Sequence, residues 1–122
     1  MKIRIRGNSI RLRLSKSEID RFGAVGYLEE KTEFATGVFY YALAADKGAS
    51  ELTAQLDASK ITVFVPLSIQ KEWTTSERVG FENKIKTASD KQLFILIEKD
   101  FVCLDHTTED QSDNYPNPNR NC

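Results

Sequence analysis

The chain has 122 residues, 40% hydrophobic and 29% charged, with a formal net charge of −1. That length supports one domain able to bury about two thirds of the surface its unfolded form exposes, and the mix is that of an ordinary soluble protein. No apolar run approaches the ~18 residues of a bilayer span, and no metal-type Cys-x-x-Cys or disulfide framework exists, since the two cysteines are Cys103 and Cys122.

The first sixteen residues carry six cations and no acid. Lys2-Ile3-Arg4-Ile5-Arg6, then Gly7-Asn8, then Ile10-Arg11-Leu12-Arg13-Leu14 fits an antiparallel hairpin with a two-residue loop. In that register Arg6 faces Ser9, Ile5 faces Ile10, Arg4 faces Arg11, Ile3 faces Leu12 and Lys2 faces Arg13. One side is apolar and the other purely cationic. Like charges directly opposite one another are destabilising, on the order of 0.2–1 kcal/mol per pair, so Lys2, Arg4, Arg6, Arg11 and Arg13 form the candidate anion-binding set. Because the cations alternate with Ile and Leu, the segment does not read as a secretory signal. The expectation is a cytoplasmic protein with reduced thiols.

Ser15-Lys16-Ser17-Glu18 has the form of a capping box, with Leu14 and Ile19 as a hydrophobic staple, and predicts a short helix stopped at Gly23. Tyr27 to Phe34 and Val38 to Leu43 read as strands, with a turn at residues 46–50. Leu52 to Leu56 alternates weakly and Ile61 to Val65 strongly. Pro66 suits the start of a second helix ending near Trp73. Val79 to Lys86 alternates again, and Leu93 to Ile97 is a final core strand.

In order, this is β-β-α-β-β twice. A shift of 51 places Ile10, Leu12, Leu14 and Phe22 on Ile61, Val63, Val65 and Trp73. A shift of 54 places Val25-Gly26-Tyr27 on Val79-Gly80-Phe81, and Phe39 to Leu43 on Leu93 to Ile97. The fold expected is α+β: a mainly antiparallel sheet or partly closed barrel of about eight strands with two short helices, residues 1–49 repeated in 50–103. The domain is bounded at 1–104, with an acidic polar tail at 105–122. Closure would line a lumen with five cations, so an open sheet with its cationic side in solvent is the cheaper arrangement.

Glu29, Glu33, Asp105, Glu109, Asp110 and Asp113 are the candidate carboxylates to face those cations, the tail docking through Tyr115 and Pro116. No phosphate loop or nucleophile elbow is present, and the one histidine is His106. Cys103 and His106 supply only half of a zinc site. Asp110, Ser112 and Asn114 have calcium-loop spacing, but Tyr115 stands where glycine is needed. No metal or other cofactor is expected. The hairpin's polar side has no aromatic to stack on a base, and the isoelectric point of about 5.9 argues further against nucleic acid as a partner. Self-association through an edge strand is the remaining partner class.

Two resemblances bear on this. The duplicated order with basic strands, and the segment Tyr27-Leu28-Glu29-Glu30-Lys31, resemble the triphosphate tunnel enzymes, whose barrels bind polyphosphate with inward Arg and Lys and hold a metal on an ExExK strand. Tyr27 replaces the first glutamate of that motif, which removes a ligand. Met1 to Ser9, Gly26 to Phe34, and Glu98 to Leu104 running into Glu109 to Pro116 resemble a family of small uncharacterised bacterial proteins. That likeness brings no activity, cofactor or catalytic residue. The sequence-level reading is a small non-enzymatic binding module whose cationic hairpin engages acidic groups, the alternative being a protein that binds or hydrolyses a phosphorylated small molecule.

Overall fold

A computed structural model describes residues 1–101 of the chain. β1 (Lys2–Arg6) and β2 (Ser9–Leu14) form the hairpin in the register that the alternation demands, Lys2 opposite Arg13 through Arg6 opposite Ser9. Helix α1 (Lys16–Val25) starts from Ser15, whose hydroxyl accepts from the Glu18 amide while the Glu18 carboxylate accepts from the Ser15 amide. Gly23 does not end the helix. A Cβ there would lie 2.9 Å from Thr74 Oγ1, so this glycine permits close approach to the second helix. The stop is Gly26, at φ +80, where a side chain would be strained.

β3 (Tyr27–Phe34) and β4 (Gly37–Asp46) form a second hairpin, and β5 (Thr53–Asp57) with β6 (Lys60–Pro66) a third. Pro66 caps α2 (Leu67–Thr75), and β7 (Gly80–Lys86) with β8 (Gln92–Lys99) closes the chain as a fourth hairpin. The structure is α+β. It has two four-stranded sheets where the sequence pointed to one: β1-β2-β8-β7 and β3-β4-β6-β5. The hairpins are antiparallel, but the central pairings β2–β8 and β4–β6 are parallel, and neither sheet closes into a barrel. Each sheet takes one hairpin from each half of the chain.

The registers carry the duplication. Ser9 opposite Phe94 in the first sheet corresponds to Lys60 opposite Tyr40 in the second, which reproduces the shifts of 51 and 54. Phe22 and Trp73, equivalent at 51, are both fully buried and meet edge to face, their ring centroids 6.1 Å apart. Gly23 and Thr74, the next equivalent pair, are also in contact. Equivalent residues touching one another is what proximity to a pseudo-two-fold axis requires.

One strand departs from the sequence alignment. Tyr27 opposes Ala44, and the equivalent of Ala44 is Glu98, which opposes Gly80 and not Phe81. β7 is therefore shifted by 53 from β3, so Leu28 matches Phe81 and Glu30 matches Asn83. Two of the three inserted residues follow α2, and the third lies in the β7–β8 turn, where Asp90 takes φ +68. A one-residue slip would send every side chain of β7 to the opposite face, so placing the third residue in the turn preserves the core.

The core joins Leu12, Leu14, Ile95 and Ile97 of the first sheet to Leu28, Leu43, Val63 and Val65 of the second. Ile19, Phe22 and Trp73 come from the helices. Each sheet keeps its other face outside this cluster. Among the described residues, no helix is long and apolar enough to cross a membrane.

Candidate anion-binding face

Strand alternation turns Lys2, Arg4, Arg6, Arg11 and Arg13 to the side of the first sheet away from the core, as Leu12 and Leu14 point inward. Three rows cross that side from β1 to β7. They are Lys2-Arg13-Glu98-Gly80, Arg4-Arg11-Leu96-Glu82 and Arg6-Ser9-Phe94-Lys84. Partly buried Phe94 and Leu96 thus lie between the arginines and Lys84.

The parallel pairing of β2 with β8 brings in a carboxylate. Glu98 Oε2 accepts from Arg13 Nε at 2.7 Å and from Arg11 Nη1 at 3.4 Å. Asp100, just past β8, pairs with Lys2 at 2.9 Å and with Arg13 at 3.9 Å. Burial and then the neighbouring charge of Arg13 hold the Arg11 guanidinium below its ordinary pKa, Glu98 working the other way and Arg4 adding to the depression. Burial is the larger cause, and crowding among the cations adds to it. Arg4 and Arg6 are exposed and make no ion pair among the described residues.

Glu98 and Asp100 were not among the carboxylates the sequence singled out. The inward set Leu93, Ile95 and Ile97 already implies that Glu98 points outward, but nothing local says that β8 lies beside β2. Glu29 and Glu33 belong to β3, in the other sheet, with Glu33 opposite Val38. Glu29 accepts from the Tyr27 hydroxyl and, at 2.9 Å, from Lys60, which also reaches the Tyr27 oxygen at 2.7 Å. The Tyr27 and Lys60 bonds hold the Glu29 carboxyl below its usual range, and the Tyr27 and Glu29 bonds raise the Lys60 ammonium. Asp105, Glu109, Asp110 and Asp113, with Cys103, His106 and Tyr115, lie outside the described residues.

The tunnel-enzyme resemblance fails on this geometry. Tyr27, Glu29 and Lys31 share the outward side of β3, and no barrel encloses them. Glu30 points the other way and, with Glu18, pairs with the α-ammonium of Met1, while the Tyr41 hydroxyl donates to the Met1 carbonyl at 3.0 Å. An open cleft of about 600 Å³ between α1 and β3 is lined by Ser17, Glu18, Arg21, Tyr27, Leu28, Glu29 and Glu30. All three of its carboxylates carry intramolecular partners. Among the described residues no group of three or more His, Cys, Asp or Glu side chains is placed to hold a metal.

The duplication supplies an internal control. The second-half equivalents of Lys2, Arg4, Arg6, Arg11 and Arg13 are Thr53, Gln55, Asp57, Thr62 and Phe64. The same hairpin pairs with its sheet in the same register with none of those five charges, its one cation being Lys60 at the position of Ser9. Folding therefore does not require the five charges.

Comparison with known proteins gives a match over residues 1–119 to a family described as "Family of unknown function (DUF7009)". The chain belongs to that family. No curated protein and no solved structure matches it. In this member of the family, the one strongly single-signed surface described above is the outer side of β1 and β2.

Proposed function

We propose that the protein is a small non-enzymatic binding module that engages an acidic polypeptide segment through the outer side of its first sheet. The observation that carries this is the asymmetry between the halves: five cations at positions where the equivalent strand pair has none. Charges that repel one another, and that the equivalent hairpin does without, point to an acidic group that they meet. Glu98 and Asp100 order Arg11, Arg13 and Lys2, and Arg4 and Arg6 stand beside them for a ligand. Phe94 and Leu96 add apolar contact, which favours a polypeptide over a bare anion. The phosphorylated-small-molecule reading asks for a concave cationic site, and the cleft described between α1 and β3 is instead lined by three glutamates beside Arg21.

Titration with a labelled deca-glutamate peptide at low salt tests the proposal. Arg4→Glu combined with Arg6→Glu is expected to weaken binding by about tenfold or more, since two exposed pairs at ~0.7 kcal/mol each already amount to tenfold. Unchanged affinity in the double variant, or equal affinity for tripolyphosphate alone, overturns the proposal.

A further inference from the structure

The first sheet ends on β7, and among the described residues no strand pairs with the far side of that strand. Its ladder with β8 is fixed in phase, because the Lys99 amide donates to the Val79 carbonyl and the Thr87 amide to the Lys91 carbonyl, each at 2.9 Å. Directly opposed residues of an antiparallel ladder alternate between bonded and non-bonded pairs. Residues 79, 81, 83, 85 and 87 therefore turn their N–H and C=O groups to β8, and Gly80, Glu82, Lys84 and Lys86 turn theirs to the open edge. Among the side chains, Phe81, Asn83 and Ile85 point to the inner side, where Phe81 and Ile85 pack on the core. Glu82 and Lys84 point outward, exposed and without an ion pair among the described residues.

We propose that β7 pairs with β7 of a second copy of this chain, antiparallel about a two-fold axis at Asn83, so that the two first sheets become one. This contact is independent of the binding reading above. Complementarity carries it. In that register Glu82 lies opposite the partner's Lys84, and Lys84 opposite the partner's Glu82, on the outer side. On the inner side Phe81 lies opposite the partner's Ile85, which extends the apolar surface across the contact. The pairs 82 with 84 and 84 with 82 also join residues whose backbone groups face the edge, so bonds and side chains agree. Moving the axis by one residue sets Glu82 or Lys84 against itself, so charge selects the register. The Gly80 carbonyl already accepts from Arg78 Nε at 3.1 Å, which leaves the two central pairs as the heart of the contact.

The other three edges match themselves less well. On β1, self-pairing sets Lys2, Arg4 and Arg6 against one another. On β3, the register that joins Glu29 to the partner's Lys31 sets Glu30 against Glu30 on the inner side. β5 spans five residues against seven in β7 and offers fewer bonds. Two short edge strands bury little surface, so the β7 dimer is a weak one that forms at high protein concentration. The axis stands perpendicular to the sheet, which puts the cationic hairpins of both copies on the same side. Their β2 strands lie five strand spacings, or ~24 Å, apart.

Sedimentation equilibrium of the full chain from about 10 µM to about 1 mM covers the range of a weak interface. The expected result is a monomer–dimer equilibrium whose dissociation constant rises about tenfold or more in Glu82→Lys alone and in Lys84→Glu alone, since each change sets like charges opposite one another twice per dimer. An equimolar mixture of the two variants is expected to regain the original association, because the two acids of one chain then face the two cations of the other. Circular dichroism melts verify that both variants are folded, as changes at exposed positions allow. A protein that stays monomeric at 1 mM, single variants that associate as the original does, or a mixture that remains monomeric would each overturn the β7 dimer.

Discussion

Gly7 and Ala58 are equivalent turn residues, and both take positive φ, +54 and +55. For glycine that conformation costs nothing, whereas an L side chain there loses ~1–2 kcal/mol against its own Cβ. The second hairpin turn thus carries strain that the first avoids. Ala58→Gly is expected to stabilise the protein by about 0.5–1 kcal/mol after the extra flexibility glycine gives the unfolded chain. Urea denaturation checks this, and an unchanged or lower midpoint would show that the turn is not strained. At the same scale, Glu98 makes Arg11 and Arg13 compatible neighbours, being 17% exposed and bonded to both. Alternation identified the five cations of β1 and β2, because facing within one strand is a local property. It did not identify Glu98 as their partner, because partnership across β2 and β8 is a contact between residues 85 or more positions apart.

Helix α1 shows how an element is held at its start. Glu18 accepts from the Ser15 amide and also from the Met1 ammonium, which Glu30 shares from β3. Partial burial opposes charge on both Glu18 and the amine. The hydrogen bonds and mutual attraction outweigh it, so the Glu18 carboxyl is depressed below its ordinary 4.5 and the ammonium is raised above its ordinary 8.0. The signs differ. A depressed carboxyl contributes stability above 4.5 that is lost as pH falls through its folded value, and a raised amine contributes stability below 8.0 that is lost as pH rises through its folded value. The contribution of this pair is therefore level between about pH 5 and 8 and declines on either side. Glu18→Gln is expected to flatten the acid limb and weaken the alkaline one, where Glu30 still holds the amine. Urea midpoints from pH 3 to 10 check this; parallel profiles for the two proteins would remove Glu18 from the pair. The second half has Ile69 and Asn83 at the positions of Glu18 and Glu30. Asn83 donates to the Leu52 carbonyl at 2.9 Å and to the Glu51 carboxylate at 3.2 Å, so a side-chain amide ties the corner that an ammonium ties in the first half.

Over the whole molecule, hairpins from the two halves are exchanged between the sheets, and neither half completes a sheet alone. Phe22 and Trp73 seal the helix contact at the centre, so the two halves share one core. Such an arrangement unfolds as a unit. Trp73 is the only tryptophan, fully buried, with its indole N–H donating to the Val79 carbonyl at 3.0 Å. Its fluorescence and the far-UV circular dichroism are expected to give coincident urea transitions. Separated transitions would mean that the sheets melt independently. The shared core also leaves both outer faces free to differ, and one of them became cationic.

The amino-acid sequence by itself determined the order of the elements, the hairpin register, the capping box at Ser15, the equivalence of Phe22 with Trp73 and the cationic side of β1 and β2. All of these follow from spacing within a few residues or from comparing one half with the other. The tertiary structure decided the rest: two mixed sheets, the parallel pairing of β2 with β8, the helix that runs through Gly23, and Glu98 and Asp100 as counter-charges. Alternation reports which side of a strand is buried, and the same pattern fits an antiparallel or a parallel neighbour. Which strand lies alongside is set by how two apolar faces and two helices fill one core, a choice made between segments far apart in the chain.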